Sequence, residues 1–180
     1  MLEDRWLVWK LKHGDSNALR LIYEKYKDEL LALATVLSND KMSAEDTVHD
    51  VFVSFAQLTD KLELKKNLKS YLSTSVANRV RNSRRKKAKL TLDIGCLEVA
   101  TSDSNQPDKL AMSREEFQRI GSALLELPYQ QREVIILHLQ SGLKFKEIAN
   151  AQHVSVNTIQ SQYRYGLSKL RSILNGEVKK

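Results

Sequence analysis

The stretch Asn78-Arg79-Val80-Arg81-Asn82-Ser83-Arg84-Arg85-Lys86-Lys87-Ala88-Lys89 places seven cations in twelve residues with no acid among them. Cations at this density can hold a polyanionic backbone, and the interleaved asparagine amides can hydrogen-bond base edges. At helical spacing Thr74, Asn78, Arg81, Asn82 and Arg85 share one face, with Arg84 beside them. Each phosphate such a face neutralises adds about 0.9 to the salt-dependence slope on duplex DNA, or about 0.7 on single strands. A second set lies near the C-terminus, where Asn157, Gln160, Ser161, Arg164, Ser168 and Arg171 form a polar stripe without an acid. Gln pairs with adenine and Arg with guanine in a major groove, whereas an ordinary solvated helix face mixes in Asp and Glu. Lys144, Lys146, Arg171, Lys179 and Lys180 suit phosphates, which add affinity without sequence information. A third set is acidic: Asp46 and Asp50 stand one helical turn apart with His49 beside them. DNA would be repelled there, so the expected partner is a basic protein surface rather than a metal.

These residues need helices to aim them. Leu19, Ile22, Tyr26, Leu30, Leu33 and Leu37 recur every three or four positions and predict a helix over 17–37, capped by Asp15 or Ser16. Ser43-Ala-Glu-Asp46 has the shape of a capping box and starts a second, with Val48, Val51, Phe52, Phe55 and Leu58 as its apolar stripe. A third over 68–85 turns Leu68, Tyr71, Leu72, Val76 and Val80 inward. Periodicity then fades from Thr91 to Met112, and the polar run 100–108, which contains Pro107, reads as a linker. Ser113-Arg-Glu-Glu116 is a second capping box, followed by a helix closed at Pro128, another over 129–139 ended by Gly142, and a pair over 145–151 and 155–174. In that pair Ile148 and Ile159 face each other, small Ala149 sits at the crossing, Val154 fills the gap after the turn and Ser155 caps the second helix, which is a helix-turn-helix. The expected fold is all-α: an N-terminal helical domain over 1–90, a flexible acidic linker over 91–112, and a C-terminal helix-turn-helix domain over 113–180.

Charge follows the same division. Residues 1–60 carry 7 basic and 11 acidic side chains, net −4; residues 61–90 carry 11 and 1, net +10; residues 91–116 carry 2 and 6, net −4; residues 117–180 carry 9 and 4, net +5. Two basic segments flank an acidic one, a pattern that suits a polyanionic partner gripped at two places. No glycine-rich phosphate loop, nucleophile motif or paired metal-ligand motif occurs, which argues against an enzyme and against any cofactor. His13, His49, His138 and His153 are scattered, and His138 lies in an apolar run that suits a core position. The single Cys96 cannot form an internal disulfide. No secretion signal or membrane-length apolar run is present, so no membrane insertion and a cytoplasmic location are expected.

Together the three sets resemble the bacterial RNA polymerase sigma factors of the sigma-70 family, extracytoplasmic-function group, over roughly residues 15–90 and 113–174. Ala44-Glu-Asp-Thr-Val-His-Asp-Val-Phe52 is similar to the family's polymerase-core-binding motif, which implies Asp46, Val48, His49, Asp50, Val51 and Phe52 as docking residues for the coiled coil of the polymerase's largest subunit. Tyr71-Leu-Ser-Thr-Ser-Val-Ala-Asn78 resembles the helix that reads the −10 promoter element, implying Thr74, Asn78, Arg81, Asn82, Arg84 and Arg85 there. The 62–68 loop before that helix would help capture a flipped base. Leu124-Leu-Glu-Leu-Pro128-Tyr-Gln-Gln-Arg-Glu133-Val resembles the start of the −35-binding domain, and Lys146-Glu-Ile-Ala149 with Val154-Ser-Val-Asn-Thr158-Ile-Gln-Ser161 resembles its helix-turn-helix. Ser155, Asn157, Thr158, Gln160, Ser161 and Arg164 are the implied −35 readers. The resemblance implies a non-enzymatic initiation factor that binds polymerase core and promoter DNA, with the acidic linker threading a basic channel of the polymerase; it leaves room for an anti-sigma factor as a further partner. The family pattern is broken at His153, where Gly is usual, at Gln152, usually Leu, at His49, usually Gln, and at Gln160 and Gln162, often Lys or Arg. The competing reading is a helix-turn-helix regulator that binds DNA alone; it predicts a ligand pocket or a symmetric dimer, and the sequence signals neither.

Overall fold

The computed structural model of the chain describes residues 2–58, 67–94 and 111–176, and among these it is built from α-helices. The N-terminal half holds α1 (Leu2–Lys12), α2 (Ser16–Ser38), α3 (Lys41–Leu58) and α4 (Leu68–Ile94). The C-terminal half holds α5 (Ala111–Leu125), α6 (Tyr129–Leu139), α7 (Phe145–Gln152) and α8 (Val156–Leu174). Residues 62–66, the central linker residues 95–110 with Cys96, and Lys179 and Lys180 lie outside the described residues.

The N-terminal core forms where the apolar stripes of α2, α3 and α4 meet. Ile22, Leu30, Leu33, Leu37, Phe55, Leu68, Leu72 and Val76 are sealed from solvent, each worth about 1.5–3 kcal/mol on burial. Asp15 caps α2 by accepting the Asn17 N–H at 3.0 Å, as its position suggests. The start of α3 differs from expectation. Asp40, not Ser43, serves it, with its carboxylate accepting the N–H groups of Met42 and Ser43, both at 3.2 Å, and the Ser43 hydroxyl as well. An Asp immediately ahead of the helix meets those N–H groups directly, so the chain turns helical at Lys41 and Ser43 falls inside the first turn.

Helix α1 has no counterpart among the expected elements. Its inner face buries Leu7, Val8 and Asp4, and Asp4 is what fastens it: its carboxylate accepts the Tyr26 hydroxyl and the Lys25 ammonium of α2, both at 2.9 Å. Lys25 also reaches Glu3 at 2.6 Å. Burial alone would raise the Asp4 carboxyl, but the hydrogen bonds from Lys25 and Tyr26 hold it below its ordinary value. Burial and the same carboxylate push the Tyr26 phenol up to about 12.

In the C-terminal half Val134, Ile135, Leu137, Leu143, Ile148, Ala149 and Ile159 form the core. Helix α5 starts at Ala111, ahead of the Ser113 box, and α4 continues to Ile94, so helix reaches into both ends of the expected linker. Pro128 separates α5 from α6, and Gly142 takes the positive φ of 68° that turns the chain toward α7. Between α6 and α8 the packing is close. A Cβ on Gly166 would stand 2.8 Å from Ile135 Cδ1 and 3.0 Å from Gln131 Cβ, which explains a glycine inside a 19-residue helix. His138 is structural, as its apolar setting suggests: Nδ1 lies 2.7 Å from the Leu143 carbonyl, and the ring stacks on Phe145 and meets Tyr163 edge-on.

Candidate nucleic-acid interface

The helix-turn-helix is formed by α7 and α8. Ile148, Ala149 and Ile159 are buried at the crossing, and Ser155 caps α8 by accepting the Thr158 N–H at 3.0 Å. The turn passes through His153 in the left-handed conformation (φ 56°, ψ 42°), whose N–H closes back onto the carbonyls of α7. This is the conformation for which glycine is favoured, and His accepts it at a cost of about 1–2 kcal/mol. Val154 does not fill the gap after the turn: it is 41 % exposed and lines the cleft between the two halves.

Asn157, Thr158, Gln160 and Arg164 are exposed along the outer face of α8, with Ser161 half-buried among them. The Arg164 guanidinium rests 5.5 Å from the Tyr165 ring centroid. Ser155 belongs to the cap: its hydroxyl takes the Thr158 N–H and lies 2.8 Å from the Thr158 hydroxyl, so both side chains hold the N-terminus of α8 rather than stand free over it. Asn157, Gln160, Ser161 and Arg164 are left as the side chains positioned to reach outward.

The basic face of α4 is more engaged. Thr74 donates back to the Ser70 carbonyl at 2.7 Å and is spent on the helix itself. Asn82, Arg84 and Arg85 are exposed. Asn78 accepts Arg81 Nη1 at 2.9 Å, and the same Nη1 reaches the Ala151 carbonyl of α7 at 3.3 Å. Arg81 Nη2 meets Glu133 of α6 at 2.5 Å, and the Arg84 guanidinium lies 4.4 Å from the centroid of the Tyr129 ring. Burial pushes the Glu133 carboxyl above its usual range, and Arg81, Arg84 and Arg85 pull it back. Burial likewise raises the Tyr129 phenol and lowers the Arg132 guanidinium. Around the same cleft, which has a volume of about 710 Å³, Arg81 Nε, Tyr129 Oη, Gln152 Nε2 and Gln162 Oε1 are buried without a hydrogen-bond partner. An unpaired buried polar group costs about 1–3 kcal/mol, so this contact between the halves is imperfect.

On α3 the two classes of residue separate. Asp46, His49 and Asp50 are exposed, whereas Val48, Val51 and Phe52 are buried in the N-terminal core. Besides Leu58 at the end of the helix, which is 50 % exposed rather than part of the core stripe, the apolar part of the outward face is Met42, 75 % exposed, and Val53, 41 % exposed. Both sit at helical spacing from Asp46 and Asp50, a signal present in the sequence but hidden by the stronger Val and Phe stripe. Arg79 of α4 pairs with Asp50 at 2.8 Å and lies 3.5 Å from the Ser54 hydroxyl, tying the acidic face to the basic helix. No group of three or more metal-ligating side chains occurs among the described residues, and no described helix is long and apolar enough to cross a membrane.

Comparison with known proteins bears directly on this arrangement. The profile of Sigma-70 region 2 matches residues 22–90, and that of Sigma-70, region 4 matches residues 117–170. The chain is 31 % identical over 145 residues to the ECF RNA polymerase sigma factor EcfG of Rhodopseudomonas palustris (strain TIE-1), covering 81 % of this chain and 78 % of that one. It is 25 % identical over 179 residues to SigW of Bacillus subtilis (strain 168), covering 93 % and 94 %. Among solved structures, the sigma factor RpoE of Bartonella quintana, crystallised with the anti-sigma factor NepR, superposes with a TM-score of 0.69 at 27 % identity, covering 87 % of this chain and 96 % of that one. The fold is shared also with CnrH, solved with the cytosolic domain of CnrY, at a TM-score of 0.68 and 21 % identity over 98 % and 99 % of the two chains. The α2–α4 assembly and the α5–α8 assembly are thus regions 2 and 4 of one protein, and the chain belongs to the extracytoplasmic-function group of the sigma-70 family, the factors that direct promoter-specific initiation by RNA polymerase.

Proposed function

We propose that the chain divides its work among three surfaces. Residues 1–90 dock on polymerase core and read the −10 element, residues 91–112 join the halves, and residues 113–180 read the −35 element. Core docking uses Asp46, His49 and Asp50 with exposed Met42 and Val53, a face whose carboxylates suit a basic coiled coil and repel DNA. The −10 face uses Asn78, Arg81, Asn82, Arg84 and Arg85. The −35 reader is the outer face of α8, where Asn157, Gln160, Ser161 and Arg164 have the chemistry for base edges. Catalysis belongs to the polymerase in this scheme; the chain supplies positioning. A cytoplasmic location follows from the partner.

The observation that carries the assignment is the sorting of charge by helix. Asp46 and Asp50 stand exposed on α3, the densest cationic run is the exposed end of α4, and the α8 face presents donors and acceptors with no carboxylate. A variant pair separates the roles. Asp46→Lys should abolish capture by purified polymerase core in a pull-down while leaving helix content intact. Arg164→Ala should leave capture intact and remove footprint protection upstream in the reconstituted complex. Retained capture in Asp46→Lys, or lost capture in Arg164→Ala, would contradict the division.

A second partner class has support from the comparisons. The sigma factor RpoE of Bartonella quintana was crystallised with the anti-sigma factor NepR, and the shared fold supports an inhibitory protein of that kind as a partner here.

A further inference from the structure

Helix α1 is apolar on two sides. Asp4, Leu7 and Val8 are buried on one, while Leu2, Trp6 and Trp9 stand on the other, 86 %, 52 % and 56 % exposed. Leu2, Trp6, Trp9 and His13 recur every three or four residues and form one outward stripe, with the His13 ring centroid 4.1 Å from that of Trp9. Cations border it. Arg5 and Lys12 are exposed along one edge, and Lys10 lies along the other with its ammonium 4.2 Å from the Trp6 ring centroid. The acids of the helix are turned elsewhere: Glu3 and Asp4 both accept the Lys25 ammonium of α2, and Asp15 in the following turn takes Lys10 at 3.3 Å. Scattered single apolar residues are ordinary on a surface, whereas adjoining ones rimmed by charge mark a contact face.

We propose that α1 is a peripheral anchor: Leu2, Trp6 and Trp9 settle into the headgroup region of an anionic lipid surface, and Arg5 and Lys12 meet its phosphates. The shape of the face selects this occupant. The stripe is a convex ridge on the outside of a helix, whereas a single strand of nucleic acid is held in a groove and a partner helix also needs one. A lipid surface yields around a ridge. An indole joins an apolar body to one N–H donor, and such rings collect where hydrocarbon meets headgroup. Tryptophan and leucine on one face with flanking cations is the composition of a helix that lies in that plane. Each exposed cation close to an anionic surface raises affinity about fivefold. The anchor is also preformed. Asp4, held by Lys25 and Tyr26, fixes α1 on α2 before any contact, so attachment need not order the helix. At 11 residues α1 can lie on a bilayer but not span it. None of the residues assigned above to polymerase or promoter lies on this stripe, so the anchor is a separate surface.

The test uses the full chain, whose two tryptophans are Trp6 and Trp9, so that indole emission reports on this face alone. With vesicles of phosphatidylglycerol mixed into phosphatidylcholine, the emission should shift to the blue and be quenched by lipids brominated in the acyl chain. Vesicles of phosphatidylcholine alone should give a smaller response. The double variant Arg5→Gln, Lys12→Gln keeps both indoles and should bind the anionic vesicles about thirtyfold more weakly. Trp6→Ala, Trp9→Ala should lower co-sedimentation with the same vesicles about tenfold. Both variants replace exposed side chains, and unchanged far-ultraviolet circular dichroism shows that they fold. Co-sedimentation with unshifted emission would overturn the proposal, because attachment would then run through the cations of α4. So would a shift that follows protein concentration without lipid, which marks a second copy. A shift produced by a mixed-sequence single-stranded oligonucleotide and not by vesicles would overturn it too, in favour of nucleic acid.

Discussion

At the scale of single residues, two side chains occupy positions that cost energy, and each makes a prediction. His153 holds φ at 56° in the recognition turn. Replacing it with glycine removes about 1–2 kcal/mol of left-handed strain and costs about 0.5–1 kcal/mol of chain entropy. His153→Gly should therefore raise unfolding stability by about 0.5 kcal/mol in a denaturant titration, without altering the outer face of α8. Asp4 is buried with Lys25 and Tyr26 as partners, which hold its carboxyl below its ordinary value against the opposing effect of burial. A depressed folded-state value means the stabilisation is complete above the unfolded carboxylate range and is lost as pH falls through the folded value. Asp4→Asn should destabilise the protein near neutral pH by about 1–3 kcal/mol and flatten the acid-side loss seen in the parent. An unchanged acid limb would show that α1 is fastened otherwise.

At the scale of elements, the helix-turn-helix depends on the small residue at its crossing. Ala149 is 2 % exposed against Ile148 and Ile159, so Ala149→Leu should overpack the pair, costing about 1–3 kcal/mol and removing −35 recognition before it touches core binding. Most of this was readable beforehand. The stripes of α2, α3 and α4 have strong helical period, and the Ile148, Ala149 and Ile159 spacing marks the crossing without any coordinates. The misses have physical causes. Helix α1 carries Leu2, Trp6 and Trp9 outward and Leu7 and Val8 inward, so its apolar pattern cancels around the helix, and its one buried charge, Asp4, reads as a surface residue. On α3 the apolar residues of the motif, Val48, Val51 and Phe52, lie on the core side, and Met42 and Val53 are the apolar residues exposed beside Asp46 and Asp50. A box motif points to Ser43 as the start of α3, whereas Asp40 accepts the N–H groups of Met42 and Ser43 and starts the helix at Lys41.

At the scale of the molecule, the alternating sign of charge was legible and the closed contact was not. Arg81 and Glu133 are 52 residues apart, and each taken alone looks like an exposed charge; only the approach of α6 to α4 makes them a pair. The charge pattern predicts how binding depends on salt. Polymerase–factor complexes on promoter DNA should lose affinity steeply as salt rises, and the combined change Arg84→Ala, Arg85→Ala should lower the slope of log affinity against log salt by up to about 1.4–1.8 if both contact phosphate. The same change should leave a core pull-down unaffected, since the docking face proposed above lies on α3.

Run-off transcription with purified polymerase core, over a library of genomic fragments, tests the central claim most directly. Core alone should give no defined start sites, and core with this chain should give a discrete set of transcripts whose upstream regions share two spaced elements. Addition of Arg164→Ala in place of the parent should weaken that set selectively. A library that yields no promoter-specific transcript with the folded parent chain, under conditions where core accepts another sigma factor, would contradict the account.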